Sequence, residues 1–286
     1  MKLILGTAQF GLNYGINNLN GKVSLQDCLE ILNCAFDNGI KILDSAEVYG
    51  NAHQVIGMFH KENPKKIFKV MTKLPNQINV DILEKVDAYF KELNVTQLET
   101  LMFHSYKSYK DNIENLDVLK KLKSENKIKS LGVSVYTNDE IENVILNQDI
   151  DIIQLPFNLF DNINVRNDIL EKAKSKGKII HTRSALLQGL FFKDKNDSNK
   201  TVQNLKNELS LLNDISKRDD VSISELALSY CLGQDKIDNV LIGVDSIKQL
   251  KDNIKTVKYC LKKKTLNSIN TIKVENLNLL NPSLWK

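Results

Sequence analysis

A regular alternation of short apolar runs with longer amphipathic segments constrains this chain more than any other feature of its sequence. Each apolar run is followed by apolar residues at helical spacing, and the pattern repeats from Leu3 to Tyr259. Right-handed helical crossovers return each strand parallel to the one before it. Eight such units close into one barrel. The predicted strands are Leu3–Leu5, Ile40–Leu43, Ile67–Met71, Leu98–Phe103, Leu131–Val135, Ile150–Leu155, Lys178–Thr182 and Val240–Ile242.

The segments between the predicted strands carry helix-start signals. Ser24 is a predicted N-cap, and Thr137 with Glu140 and Ser222 with Glu225 form capping boxes. The first predicted helix therefore follows Ser24 and stops at residues 38–39. The others are a helix near His53–Phe59, Val80–Leu93, Leu116–Asn126, Asn138–Leu146, Arg166–Lys176, Thr201–Lys217, the helix opened by Ser222, and Ile247–Tyr259.

Length and composition suit a single α/β barrel. The chain has 286 residues, of which 42% are hydrophobic, and a (β/α)8 barrel takes about 250 residues. Two small domains would also fit this length, but no composition break marks a linker. We predict one (β/α)8 (TIM) barrel domain over residues 1–286, with residues 261–286 as a C-terminal tail that packs on the barrel. An open doubly wound sheet is the alternative, although residues 6–11 lack its Gly-x-Gly-x-x-Gly turn.

Charge and cysteine patterns exclude several classes of function. The net charge of +4 comes mainly from lysines on helical faces, and no basic stripe is interleaved with aromatic residues, so nucleic acid is not an expected partner. The four cysteines form no Cys-x-x-Cys or Cys/His cluster, which predicts no metal site and a reducing compartment. No apolar run reaches about 18 residues. We expect a cytoplasmic protein without a membrane segment, and the sequence does not indicate an oligomeric state.

Three polar residues follow consecutive predicted strands: Asp44, Lys73 and His104. In a barrel these strand ends converge on one cavity, and Tyr49 lies in the loop after Asp44. A tyrosine with a pKa of about 10 is a poor proton donor at neutral pH, and we expect the Lys73 ammonium to lower that pKa. Asp44 would hold Lys73, and His104 would donate a hydrogen bond to a carbonyl oxygen. This set suits carbonyl reduction, given a hydride source.

Other polar and aromatic residues have simpler interpretations. Without the other polar residues, Asp44 would be interpreted as a turn residue or a helix cap. His53 and His60 are expected to have surface or packing roles, whereas His181, at the end of a predicted strand, points either into the barrel core or towards the cavity. Trp285 is expected to be a packing anchor.

Four motifs in order resemble the aldo-keto reductase superfamily: Asp44–Gly50, Thr72–Leu74, Phe103–His104, and Gly243 followed by Asn253. The resemblance covers essentially the whole chain. It implies a (β/α)8 barrel, Tyr49 as general acid/base, Lys73 and Asp44 as its partners, and His104 as carbonyl polariser. It also implies a nicotinamide cofactor as hydride donor and a small carbonyl substrate.

Two further segments, Leu5–Gly11 and Leu187–Leu190, resemble a bacterial branch of the family. That likeness suggests a keto-sugar or another sugar derivative as the carbonyl substrate.

The resemblance also implies a cofactor site. Ser134 and Gln154 would bind the nicotinamide amide, with Val135 where asparagine is common. Arg183 occupies a place that is often aromatic, and its planar guanidinium can stack on the ring. The full set of cofactor-binding residues implied is Gly6, Thr7, Asp44, Ser134, Gln154, Arg183, Ser184, Leu186, Gly243, Ser246, Gln249 and Asn253.

The choice between the two nicotinamide cofactors rests on the segment after the last strand. NADPH is the expected cofactor, because the resemblance implies the cofactor that the family commonly uses. Asp245, however, is acidic near the expected 2′-phosphate, and Gln249 stands where many relatives have arginine. Lys248 could offset the repulsion between the carboxylate and a phosphate. The sequence therefore leaves NADH open beside NADPH.

The sequence also leaves two rival functions open. The first is a barrel that binds nicotinamide cofactor as a sensor or partner subunit with negligible turnover. The second is a lyase that uses the Lys73 amine to form a Schiff base.

Overall fold

The strands of this computed structural model, which describes residues 1–18 and 20–285, form a closed parallel barrel. Over those residues eight strands pair in sequence order, and β1 closes the ring by pairing with β8. The predicted (β/α)8 fold is therefore confirmed. The strands are β1 Leu3–Gly6, β2 Ile42–Asp44, β3 Lys69–Leu74, β4 Leu98–Phe103, β5 Ile128–Ser134, β6 Ile152–Pro156, β7 Ile179–Arg183 and β8 Asn239–Ile242.

Helices fill the connections, and several begin at the predicted caps. Ser24 accepts a hydrogen bond from the Asp27 N–H, and both capping boxes form. The helices are α1 Ala8–Gly11, α2 Leu25–Asp37, α3 Ala52–Glu62, α4 Ile82–Leu93, α5 Tyr106–Asp111, α6 Leu116–Ser124, α7 Asn138–Ile145, α8 Ile163–Ser175, α9 Lys200–Asn204, α10 Lys206–Asp219, α11 Ile223–Leu232, α12 Ile247–Thr256 and α13 Lys263–Ile269. Short 3-10 helices cover Ile113–Asn115, Leu187–Phe192, Leu277–Leu280 and Pro282–Leu284.

Two predicted boundaries were wrong in ways that matter. The third strand extends to Leu74 instead of ending at Met71, so Lys73 lies within β3 and pairs with Met102 of β4. Backbone pairing with a neighbouring strand continues beyond the apolar run because hydrogen bonding, rather than hydrophobicity, sets strand length. The predicted helix Thr201–Lys217 is two helices, α9 and α10, which meet at Leu205.

The barrel interior changes from apolar to polar towards the carboxyl ends of the strands. A cluster of Ile4, Met71, Met102, Ile152 and Leu241 fills its centre, with Ile42 packed against it. Two residues further along their strands, where the side chain returns to the same face, come Asp44, Lys73 and Gln154. A polar layer therefore lies on an apolar plug at the end of the barrel where (β/α)8 enzymes carry their active sites.

The segment after α12 makes defined contacts with the barrel helices. The Thr265 hydroxyl of α13 donates to Asp219 Oδ2 of α10 at 2.7 Å, and Asn162 Nδ2 donates to the Ile272 carbonyl at 3.1 Å. Trp285 packs against the core and donates from Nε1 to the Leu279 carbonyl at 2.9 Å. These contacts support our proposal that residues 1–286 form one domain with residues 261–286 as its cap, although Lys286 lies outside the described residues.

The described residues include neither a membrane-spanning helix nor a metal-binding cluster. No helix in that part of the chain combines the length and apolarity that a membrane crossing requires. Nor do the described His, Cys, Asp and Glu side chains gather into a group of three or more that could hold a metal ion.

Candidate active site

A buried ion pair forms the floor of the candidate site. Asp44 ends β2 and Lys73 lies on the adjacent β3, and Lys73 Nζ is 2.5 Å from Asp44 Oδ1. Their side chains are only 4% and 2% exposed, and Lys73 also donates to the Ser45 carbonyl at 3.2 Å. Burial lowers the pKa of Lys73, while the Asp44 carboxylate opposes that shift. The pair thus holds a lysine amine in one fixed position.

Tyr49 is half-buried in the loop between β2 and α3, close to this pair. Lys73 Nζ lies 5.4 Å from the centre of its ring. Burial raises the pKa of Tyr49 above its usual value, and the charge of Asp44 raises it further. The net shift is therefore upward, opposite to the direction that we predicted from Lys73. The carboxylate beside Lys73 compensates the ammonium, so desolvation of the phenolate dominates.

His104 directly follows β4 and faces the same phenol. Its ring lies edge-on to Tyr49, with the ring centres 5.9 Å apart and an interplanar angle of 85°. Burial, helped by the Lys73 charge, lowers the pKa of His104 to about 4. At neutral pH the imidazole is therefore neutral and carries one N–H donor.

A cavity of about 430 Å³ extends from Asp44 and Tyr49, past β1, to the loop after β8 and the start of α12. Most of the residues predicted to bind cofactor line it: Gly6, Thr7, Asp44, Gln154, Arg183, Ser184, Leu186, Gly243, Gln249 and Asn253. Four predicted site residues lie outside its lining: Lys73, His104, Ser134 and Ser246. Thr7 is fully buried, and its hydroxyl donates to the Asp44 carbonyl at 3.1 Å.

Gln154 contacts the ion pair and also lines the cavity. Its Nε2 donates to Asp44 Oδ2 at 2.8 Å, which leaves Oε1 buried without a hydrogen-bond partner among the described residues. A buried, unpaired amide oxygen is costly, and a ligand N–H that donated to it would remove the cost. This unpaired acceptor in the cavity wall fits the carboxamide of a nicotinamide cofactor.

Arg183, at the end of β7, is held in place by its own chain. Its guanidinium carbon lies 4.1 Å from the centre of the Tyr136 ring. Nη2 donates to the Val135 carbonyl at 3.0 Å, and Nε donates to the Ser134 hydroxyl at 3.3 Å. Ser134 and Arg183 are thus paired with each other, and Tyr136 supplies the aromatic surface on which the guanidinium stacks.

The far end of the cavity is built by α12. Ser246 is its N-cap and accepts from the Gln249 N–H at 3.3 Å. Gln249 Oε1 accepts from the Asp245 N–H at 2.9 Å. The free N–H groups at such a helix start suit a phosphate group, and Asn253, one turn further along α12, lines the cavity beside them.

Three aromatic or amide residues near the site were missed by the sequence reasoning. Tyr14 and Gln188 line the cavity, and Gln188 Nε2 donates to the Tyr14 hydroxyl at 3.1 Å. Tyr136 supports Arg183. Each lies in a segment that connects a barrel strand to the next main helix, and that position is the signal that could have identified them.

The remaining histidines are buried. His53 bridges Glu92 and Thr72, at 3.0 and 2.8 Å. His60 Nδ1 lies 2.8 Å from the Leu93 carbonyl, and both histidines therefore have packing roles. His181 lies on β7 opposite Gln154 of β6, inside the barrel, where burial lowers its pKa to about 4.

Comparisons with known proteins identify the family of this chain. The model of the Aldo/keto reductase family matches residues 2–274. The NADH-specific methylglyoxal reductase of Escherichia coli is 25% identical over 274 residues, covering 82% of this chain and 84% of that protein. The probable aldo-keto reductase 1 of Glycine max is 27% identical over 301 residues, covering 93% and 86%.

Among solved structures, the holo form of the aldo-keto reductase AKR11C1 from Bacillus halodurans has the same fold. Its TM-score is 0.78 at 20% identity, and the match covers 96% of this chain and 94% of that one. The family model spans nearly the whole barrel. The chain therefore belongs to the aldo/keto reductase family and is an NAD(P)-dependent carbonyl reductase.

Proposed function

We propose that the protein reduces a small aldehyde or ketone to the alcohol, with Tyr49 as the general acid. The observation that carries this proposal is the buried Lys73–Asp44 pair beside Tyr49, with His104 edge-on to the same phenol. A bound nicotinamide cofactor supplies the hydride for such a reduction. The chain's own residues then handle the oxygen and its proton.

Tyr49 is suited to donate the proton. Because burial raises its pKa, the phenol stays protonated at neutral pH. An alkoxide is a stronger base than a phenolate, so the proton moves from the Tyr49 hydroxyl to the new alkoxide oxygen. The Lys73 ammonium then stabilises the phenolate that remains. Asp44 is a positioning residue for Lys73 through their hydrogen bond.

His104, which follows β4, complements the phenol from the other side of β3 in the strand order. As a neutral imidazole it can donate its N–H to the carbonyl oxygen that Tyr49 protonates. A donor aimed at developing negative charge in a site shielded from water stabilises the transition state more than the ground state.

The cofactor would be held along the cavity. Gln154 Oε1 is free to accept from the carboxamide, with Ser134 and the Arg183 guanidinium beside it. Ser184 and Leu186 follow Arg183 along the wall. Gly6 and Thr7, Gly243, and Ser246, Gln249 and Asn253 at the start of α12 complete the proposed binding set.

For the substrate we propose a small carbonyl compound, with a keto-sugar or sugar derivative as the class suggested by the bacterial motifs. The E. coli relative is named a methylglyoxal reductase, which also supports a small carbonyl substrate. NADPH is the cofactor suggested by family habit, whereas the name of that relative supports NADH.

The test is Tyr49→Phe, assayed with NADH and NADPH against a panel of aldehydes and keto-sugars. We expect carbonyl reduction to fall by about 10²–10⁴-fold, while the dissociation constant for the cofactor stays within about threefold. Tyr106→Phe on α5 removes a phenol outside the cavity lining and should leave the rate unchanged.

Two results would contradict the proposal. If wild-type protein binds cofactor but oxidises it with no compound of the panel, the sensor function is favoured. If borohydride traps substrate on Lys73, the chemistry is that of a Schiff-base lyase.

A further inference from the structure

The two ends of the cavity would hold the two ends of a bound dinucleotide. Hydride transfer requires the nicotinamide to lie beside Tyr49 and Asp44, at one end of the lining. The rest of a bound dinucleotide must then run along the cavity to its other end. There the lining consists of Gly243, Asp245, Gln249, Asp252 and Asn253. The ribose next to the adenine would therefore lie among the side chains of this β8–α12 segment.

Asp245 presents an unsatisfied acceptor at that end. Its side chain is half-buried, and Oδ1 is buried with no hydrogen-bond partner among the described residues. Nor does any described lysine or arginine form an ion pair with it. Burial raises the pKa of Asp245, as expected for a carboxylate without a compensating cation. Such an oxygen gains most from a ligand hydroxyl that donates to it.

The positive groups near Asp245 do not offset its charge. Lys248 is 88% exposed, and its ammonium is bound to Asp252 Oδ2 at 2.8 Å. Lys255 also lies 3.3 Å from Asp252. Gln249 turns its side-chain oxygen back to the Asp245 N–H. Among the described residues that line the cavity, Arg183 is the sole lysine or arginine, and it belongs to the β7 end.

The two nicotinamide cofactors differ in the 2′ substituent of the ribose that this segment would contact. NADH carries a ribose 2′-hydroxyl there, which can donate a hydrogen bond, whereas NADPH carries a phosphate of about −1.5 to −2 charges, which at neutral pH mainly accepts. A carboxylate accepts from the hydroxyl and repels the phosphate. We propose that this enzyme prefers NADH to NADPH, and that Asp245 makes the discrimination by accepting from the ribose hydroxyl. This inference rests on the proposed function, because the orientation of the dinucleotide follows from Tyr49.

The test is a calorimetric titration of the purified protein with NADH and with NADPH, without substrate. We expect wild-type protein to bind NADH at least about tenfold more tightly. Asp245→Asn keeps the shape of the side chain but removes its charge, and Asp245→Ser removes both. Each variant should bind NADPH about tenfold more tightly than wild type does, and NADH more weakly. Thermal unfolding of each protein without cofactor verifies that it is folded.

The matched control is Asp235→Asn. Asp235 is exposed, lies between α11 and β8 on the far side of the barrel from the cavity, and is outside the lining. This variant removes the same charge and should leave the ratio of the two dissociation constants unchanged. Added salt should narrow the wild-type ratio, since the screening length falls from about 10 Å at 0.1 M to about 3 Å at 1 M.

Three outcomes would overturn the inference. Equal or tighter binding of NADPH by wild-type protein removes the preference but leaves carbonyl reduction by Tyr49 intact. An equal shift of the ratio in Asp235→Asn assigns the effect to net charge and not to Asp245. Binding of neither cofactor overturns this inference together with the proposed function.

Discussion

Tyr49 lies beside a lysine whose charge is balanced by a carboxylate, and this arrangement determines the protonation state of the phenol. Lys73 is 2.5 Å from Asp44 but 5.4 Å from the centre of the Tyr49 ring. The nearest anion therefore screens the nearest cation, and burial keeps the phenol protonated. We interpret Lys73 as a group that stabilises the phenolate after proton transfer, and not as one that ionises the phenol beforehand.

The pH dependence of catalysis tests this interpretation at the residue scale. For carbonyl reduction, kcat/KM should stay level between about pH 6 and about pH 9, because Tyr49 remains protonated and His104 remains neutral throughout. Steady-state rates with saturating cofactor provide the measurement. A decline in kcat/KM with a midpoint well below about pH 9 would show that the pKa of Tyr49 is lowered and not raised.

At the scale of elements, α1 packs closely against the loop that carries Tyr49. The Tyr49 carbonyl accepts from the Ala52 N–H at 3.0 Å, at the start of α3. A Cβ at Gly11, the last residue of α1, would lie 1.7 Å from that carbonyl oxygen. A Cβ at Gly50 would in turn lie 2.4 Å from the Gly11 carbonyl. The two glycines thus let the backbone segments approach and fix where the phenol stands.

We therefore predict that Gly11→Ala displaces the Tyr49 loop. The clash involves backbone atoms, so a side chain cannot rotate to relieve it, and kcat/KM should fall by about 10²-fold, as for a displacement of about 1 Å. The control is Gly39→Ala, after α2, where a Cβ meets nothing within 4 Å but φ is +87°. That variant should lose about 1 kcal/mol of stability and keep its activity. Comparable activity of the two variants would contradict the prediction.

At the scale of the whole molecule, all four histidines of the chain have depressed pKa values. Burial is the largest cause in each case. For His104 and His181 the pKa falls to about 4. Unfolding exposes each imidazole to water, where its pKa is about 6.5. The unfolded chain therefore binds more protons than the folded chain between these two values.

Stability should consequently fall as pH falls from about 6.5 towards about 4, because stability rises with pH wherever the unfolded state binds more protons. His181 alone should account for about 3 kcal/mol by pH 4. Urea unfolding measured at several pH values tests this. The variant His181→Asn should lack the part of the pH dependence that His181 causes. Equal free energies of unfolding for the wild-type protein at about pH 7 and about pH 5 would contradict the prediction.

The chain order of strands and helices, and with it the barrel, could be predicted from the sequence. Helix starts at Ser24, Thr137 and Ser222 depend on hydrogen bonds to residues three positions away, so the local sequence contains the whole signal. Apolar periodicity similarly indicated each strand. These local signals placed Asp44 and His104 at the ends of the two strands that flank β3, which led to the candidate site.

Only the tertiary structure decided how those groups interact. Gln154 donates to Asp44 across 110 positions of sequence, and Arg183 stacks on Tyr136 from a different strand unit. The pKa of Tyr49 depends on burial by the whole barrel end as well as on Asp44, so motif spacing alone gave it the wrong direction. Hydrogen bonds within one turn of chain are encoded locally, whereas burial and charge sum over residues that meet only when the barrel closes.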